Sequence, residues 1–351
     1  MSSRGRVGAT EPGGVFDWAS RDGILAAGSF VVDHVKTIDT WPDQDMLANI
    51  TAETVSNGGG PYNVLTNLEA LGAGFPLEAA GLLGKDANAH WIRGDCSARG
   101  IDITQLNQTN AASTSYTDAM CVARGGRRTF FHHRGTNSLF SHDDVDLTRS
   151  NARIFLLGYL LLLDAMDQVD NDGCTGASRL LAEARSLGFL TAVETVSAVD
   201  EGFRQVAIAS LQHADFFFLN EVEASLILNR DIEPTGESMQ SAVVEIATLG
   251  APGRVILHSV QGTVCREPDG ALITQPSLDL PPGHIRGSTG AGDAFTAGFL
   301  LGVHRGTETR TSLLQGVCSA AQSLTHPTAS RGMGSLEECM VLSERFSFRT
   351  F

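Results

Sequence analysis

The sequence predicts an α/β fold with a mainly parallel sheet covered by helices on both faces, plus a small second β-sheet. Two observations carry this. Apolar strand-like runs alternate with helical spacing from about residue 151 onward, which is the pattern of a parallel sheet between helix layers. Two stretches, 34–57 and 113–134, instead read as β-rich pieces that interrupt the alternation and are predicted to form the small sheet.

Taken in order, residues Met1–Arg21 are polar, glycine-containing and aperiodic, and are expected to be a mobile leader to a domain spanning 22–351. Gly23–Val32 reads as one buried strand with Asp33 at its carboxyl end. Ligands of open α/β sheets bind at that edge, so Asp33 is either a hydroxyl-binding carboxylate or the start of a turn. Gly58-Gly59-Gly60 would let a ligand approach the backbone, and Asn63 is expected to open a helix running through Leu65, Leu68 and Leu71. A strand over 74–83 leads to Asp86, read as a helix cap. Residues 113–133 form a predicted hairpin turning at Gly125-Gly126, followed by Arg134 and Asn137; His132 and His133 point to opposite faces, which disfavours a shared metal. Strands follow at 154–163, 190–194, 214–219 and 254–258, a hairpin turns at Pro268-Asp269-Gly270, and helices are expected near 179–187, 201–211, 311–325 and 335–345.

Composition narrows the function classes. A formal charge of −15 disfavours nucleic acid or an anionic membrane as partner. The longest apolar run, near Phe155–Leu163, is too short to span a bilayer. Six scattered cysteines without a Cys-x-x-Cys pair fit free thiols in a reducing compartment, so a cytoplasmic location is expected.

The chemistry concentrates in Gly287-Ser288-Thr289-Gly290-Ala291-Gly292-Asp293. Small residues run into an acid and then a helical apolar pattern (Ala294, Phe295, Ala297, Phe299, Leu300, Val303). A glycine turn at a helix start gathers N–H groups and positive dipole, which suits a phosphate. No Gly-Lys-Ser/Thr follows, so it is not a Walker A loop. Asp293 would repel a resting phosphate, but it fits as a base that deprotonates a hydroxyl attacking that phosphate. The same stretch also reads as a glycine turn whose Asp merely caps the helix. Asn220 and Glu223, one helical turn apart after a strand, can face a metal–phosphate together.

These motifs together resemble the ribokinase-like, or PfkB, family of carbohydrate kinases. The family signature Asp-Thr-x-Gly-Ala-Gly-Asp-x-Phe matches residues 287–295, the Gly-Gly/Asn signature matches Gly58-Gly59 and Asn63 through Gly84-Lys85-Asp86, and Asn-x-x-Glu matches Asn220–Glu223. The resemblance implies a three-layer α/β/α sandwich with a β-sheet lid, and a homodimer paired through that lid. It implies ATP-dependent phosphorylation of a sugar primary hydroxyl. Asp293 would be the general base and Gly290, Ala291 and Gly292 the anion hole. Asn220 and Glu223 would order Mg²⁺ and the ATP phosphates, with Gly262 near the nucleotide. Asp33, Gly58, Gly59 and Asn63 would bind the sugar; Arg134 is either a specificity arginine, with Asn137 beside it, or a solvated lid charge.

Three departures stand out. Gly287 replaces the signature's first Asp, which in the family helps to form a monovalent-cation site, so potassium activation is not expected to carry over. His258-Ser259-Val260 replaces the usual Thr-x-Gly, and Gly60 replaces the Lys common in ribokinases. Two other functions stay open: a nucleoside kinase of the same family and a catalytically silent sugar or nucleotide sensor.

Overall fold

The computed structural model describes residues 21–123, 128–198, 201–329 and 331–351. The expected leader, apart from Arg21, and the Gly125-Gly126 turn lie outside the described residues. Arg21 is tied into the domain: its guanidinium donates to the carbonyls of Ala152 (2.8 Å) and Leu187 (2.9 Å) and lies over the Phe189 ring.

The strands are β1 (Ile24–Gly28), β2 (Val31–Ile38), β3 (Ile50–Gly58), β4 (Leu77–Leu83), β5 (Asp102–Gln108), β6 (Tyr116–Val122), β7 (Arg128–His133), β8 (Ile154–Leu160), β9 (Leu190–Thr195), β10 (Phe216–Asn220), β11 (Arg254–His258), β12 (Gly262–Arg266) and β13 (Leu272–Pro276). The helices are α1 (Gly60–Ala70), α2 (Ala87–Ala98), α3 (Asp164–Asp167), α4 (Gly176–Ser186), α5 (Phe203–Leu211), α6 (Glu221–Leu228), α7 (Gly236–Ala247), α8 (Ala291–His304), α9 (Thr309–Ser323) and α10 (Leu336–Arg345). Nine strands form one sheet in the order β13-β12-β11-β10-β9-β8-β1-β4-β5, parallel from β11 to β5 and antiparallel at the β11–β12–β13 edge. The other four form a lid in the order β3-β2-β6-β7.

Alternation along β1 shows why this is a three-layer sandwich. Ile24 and Ala26 join a core with α1, α2, α8, α9 and α10, while Leu25 and Ala27 join a second core with α3 to α7. A central strand buried on both faces has no polar side to offer, so its sequence is apolar throughout. Each fully buried Leu or Phe in these layers contributes about 1.5–3 kcal/mol.

The single strand expected over Gly23–Val32 is two strands in two sheets. Gly28 has φ +125°, and a Cβ there would collide with the Gly158 carbonyl oxygen. The chain breaks at Ser29–Phe30, and Val31 onward enters the lid, where Val32 pairs with Tyr116 and Asn57. Asp33 is therefore a lid residue that overhangs the carboxyl edge rather than the end of a core strand.

The helix expected to open at Asn63 starts three residues earlier. Pro61 at its beginning needs no intrahelical N–H acceptor. Asn63 lies inside the first turn, its N–H bonded to the Gly59 carbonyl (2.9 Å).

Candidate active site

Parallel strands bring Tyr159, Glu194, Asn220 and His258 to one edge of the large sheet, and the lid hangs Asp33 and Thr117 over it. Between them lies a cleft of about 640 Å³. Its floor is the start of α8. Gly290 takes a left-handed conformation (φ +78°) to turn the chain into the helix, and a Cβ there would strike Ala329. Gly290, Ala291 and Gly292 border the cleft with Asp293. The first N–H groups of a helix lack intrahelical acceptors and carry partial positive charge, so this floor suits an anion.

Asp293 is buried in the first turn of α8. Asn63 Nδ2 donates to its Oδ2 (2.7 Å), and the Tyr159 hydroxyl donates to its Oδ1. Burial pushes the carboxyl up to about 6, against these two bonds, which favour the ionised form. Asp33 is also raised to about 6, first by desolvation; its bond with Thr117 opposes the rise and the charge of Asp293 adds to it. Glu194 is buried, and Oε2 has no partner among the described residues. Burial, then the charges of Asp293 and Glu223, hold its carboxyl well above the ordinary range. The cleft thus gathers four carboxyls, Asp33, Glu194, Glu223 and Asp293.

Asn220 and Glu223 close on each other as a reciprocal helix cap. Asn220 Oδ1 accepts from Glu223 N (2.9 Å), while Asn220 N and Nδ2 donate to Glu223 Oε2 and Oε1 (both 2.9 Å). Ser197 Oγ adds a bond to Glu223 Oε1 (3.0 Å). Burial raises Glu223 to about 7 in spite of these donors. Among the described residues no group of three or more His, Cys, Asp or Glu side chains is arranged to hold a metal ion. Asn220 and Glu223 both border the cleft, with both Glu223 carboxylate oxygens engaged by protein donors.

The remaining expected site residues divide. Gly59 borders the cleft, and Gly58 lies behind it, where a side chain would strike the Asp33 carboxylate. Arg134 borders the cleft, with Nη1 on the Leu161 carbonyl (2.7 Å) and on Asp164 (2.6 Å). Asn137 is not brought to the cleft wall: the 3₁₀ turn Gly135–Ser138 carries it fully inside, and its amide atoms have no partner among the described residues. Gly262 borders a second cavity of about 300 Å³, walled by Leu278, Leu280, Phe295, Val317 and Leu324, with Arg349 at its border. Gly287 has no room for a side chain, since a Cβ would stand 2.7 Å from Pro327 Cα.

Tyr159, Glu194 and Thr117 were not singled out from the sequence. Tyr159 and Glu194 sit in apolar strand runs, with no local signal; only the β9-β8-β1 order makes them neighbours of Asp293.

Comparison with known proteins agrees with this geometry. The pfkB family carbohydrate kinase profile matches residues 24–334, and the chain belongs to that family. The chain is 23% identical over 279 residues to the ATP-dependent ribose-1-phosphate kinase of Halopiger xanaduensis, covering 79% of this chain and 83% of that protein. It is 24% identical over 305 residues to ketohexokinase of Mus musculus, covering 85% and 94%. Among solved structures, Arabidopsis thaliana ribokinase complexed with ribose and ATP superposes with a TM-score of 0.74 at 20% identity, covering 92% of this chain and 98% of that one. The Methanocaldococcus jannaschii nucleoside kinase gives 0.70 at 16% identity, with the same coverage. At these identities the structural likeness establishes the ribokinase fold. No described helix is long and apolar enough to cross a membrane.

Proposed function

We propose that this kinase transfers the γ-phosphoryl group of ATP to a primary hydroxyl of a sugar or sugar derivative. One observation carries the reading: a buried carboxylate, Asp293, stands at the start of a buried helix within a glycine turn, where its own charge is disfavoured. A base for an attacking hydroxyl accounts for that placement, since the hydroxyl and the phosphoryl group must meet there. Asp33 and Asn63 would hold the acceptor's hydroxyls, with Gly59 close behind. Asn63 Oδ1 is buried and has no hydrogen-bond partner among the described residues. The amides of Gly290, Ala291 and Gly292 would stabilise charge on the phosphoryl group. Bound Mg²⁺ would supply charge neutralisation at the phosphates, with Asn220 and Glu223 ordering its water shell.

Charge on the walls bears on the acceptor. Arg134 is the only Arg or Lys bordering the cleft among the described residues, and Asp164 already pairs with it. Burial lowers His132 to about 4, so it is neutral at physiological pH. Beside four carboxyls, this favours an uncharged, hydroxyl-rich acceptor over a sugar acid. A nucleoside acceptor is the second reading, favoured by Phe130, which is 58% exposed and borders the cleft with Leu162 and Val196. A base could stack there.

The lid also carries exposed Met46, Leu47 and Ile50, and Trp41 stacked on Phe131 (6.3 Å, 4°), an apolar set that fits a homodimer paired through the lid. Leu47→Asp should then halve the mass seen by light scattering.

A screen of neutral sugars, sugar acids, sugar phosphates and nucleosides with ATP and Mg²⁺ tests the function. Turnover of a neutral sugar or a nucleoside is expected. Saturable binding without any turnover would instead establish a sensor.

A further inference from the structure

The family profile ends at residue 334, and α10 and a short segment, residues 346–351, follow it. The segment runs back antiparallel to residues 277–279, next to the end of β13. Asp279 N donates to Ser347 O (2.8 Å), Arg349 N donates to Ser277 O (2.8 Å), and Phe348 bridges Leu278. Ser277 N in turn donates to Gln261 O (3.0 Å), which ties the segment to the loop between β11 and β12. In an extended segment alternate side chains point to opposite sides. Phe348 is 41% exposed, whereas Arg349 and Phe351 are half-buried. Phe351 lies against Gly262, where a Cβ would stand 2.8 Å from its ring.

With Phe351 seated there, Arg349 borders the cavity of about 300 Å³. It is the only Arg or Lys on that border among the described residues, in a chain of net charge −15. Its Nε donates to Leu278 O (3.4 Å), and Nη2 stands 3.7 Å from Asp279 Oδ1. The Asp279 side chain is 63% exposed, so water screens that pair and it is weak. One carbonyl and one screened carboxylate therefore orient the guanidinium without neutralising it. A ligand filling so small a cavity lies close to that charge, and charges in a pocket drier than bulk water act on one another more strongly.

We propose that Arg349 is a binding residue for the phosphates of the nucleotide, brought to the cavity by a segment outside the family-matched region. The proposal rests on the kinase reading, in which the nucleotide occupies this cavity. Ser288, Ala291 and Gly292 border both the cavity and the acceptor cleft, so the phosphates can run from Arg349 to the anion turn. A guanidinium offers a phosphate paired N–H donors as well as charge. The amides of the turn hold the group being transferred, and Arg349 adds affinity from the other side without touching the reacting atoms.

The test compares Arg349→Met, which keeps an apolar stem but removes the charge, with Arg349→Lys, which keeps the charge. In Arg349→Met the Kd for ADP and the KM for ATP should rise by roughly tenfold at low salt and by less at high salt. The KM of the phosphoryl acceptor should stay within about twofold. Adenosine, which lacks phosphate, should compete with ATP equally well in variant and wild type. Arg349→Lys should recover most of the ADP affinity. Phe351→Ala unseats the segment and should cost ADP affinity too, and the double variant with Arg349→Met should lose little more than Arg349→Met alone. Unchanged ADP affinity in Arg349→Met, equal losses for ADP and adenosine, or losses that simply add in the double variant would overturn the proposal while leaving the kinase reading intact. A wild-type protein that binds no nucleotide would overturn both.

Discussion

The proposed acceptor side of the cleft and the proposed nucleotide side, the apolar cavity beside it, are built differently. On the acceptor side Asp33, Asn63, Tyr159, Glu194 and Asp293 crowd together, and burial raises every one of the carboxyls. On the proposed nucleotide side the walls are mainly apolar, and the polar and charged groups, Glu221, His258, Ser259, Thr263, Ser277, Ser288 and Arg349, are spread among them. The contrast follows from chemistry. A hydroxyl must be held and deprotonated, which needs charge kept out of water. A base needs apolar area, and its phosphates can be held by backbone amides. Charge buried on one side destabilises the fold there, and apolar burial on the other side stabilises it.

Replacing the base should have the largest effect. Asp293→Asn is expected to reduce turnover by roughly 10²–10⁴-fold, with acceptor binding little changed, in steady-state and equilibrium titrations. The same variant should be more stable at neutral pH. The Asp293 carboxyl ionises near 6 in the folded protein and near 3.8 otherwise. Between those values the folded state holds the extra proton, so the stabilisation present at low pH is lost as pH rises through 6. Removing the charge should raise the unfolding temperature by a few degrees at pH 7.5, by calorimetry; a fall would contradict the strain assigned to this side.

Tyr159→Phe is next. Its hydroxyl favours the ionised Asp293, so its loss should move the acidic limb of kcat to higher pH, with about tenfold less turnover at pH 6 and a smaller loss at pH 8. Glu223→Gln should raise the Mg²⁺ concentration needed for half-maximal rate by several-fold, while the acceptor KM holds; an unchanged magnesium titration would remove Glu223 from that role. The smallest effect should come from exchanging K⁺ for Na⁺. With Gly287 pressed against Pro327 and no carboxylate there, rates in the two salts should agree within about twofold.

Legibility in the sequence followed the same division. The turn at 287–293 could be read because glycine spacing, an acid and a helical period are all local. So could the lid hairpin, since β6 and β7 pair where alternation put them. Asp33 was reached with the wrong strand, because nothing local reveals that Gly28 must turn to pass Gly158. Asn137 was placed near the cleft by its proximity to Arg134, yet one 3₁₀ turn carries it inside. Strand β5 was not anticipated, since its edge position leaves it half polar, and neither was α7. Tyr159 and Glu194 depend on which strands lie side by side, and that is a property of the sheet rather than of any segment.

The pH dependence of kcat/KM, measured from pH 5 to 8 for the wild type and for Asp33→Asn, tests the role of Asp293 most directly. Both Asp33 and Asp293 are raised to about 6, so one profile cannot assign them and the pair of profiles can. Activity should fall below about pH 6 in both proteins, because Asp293 must be ionised to accept the hydroxyl proton. A profile flat down to pH 5, or a limb that disappears with Asp33→Asn, would show that Asp293 is not the base.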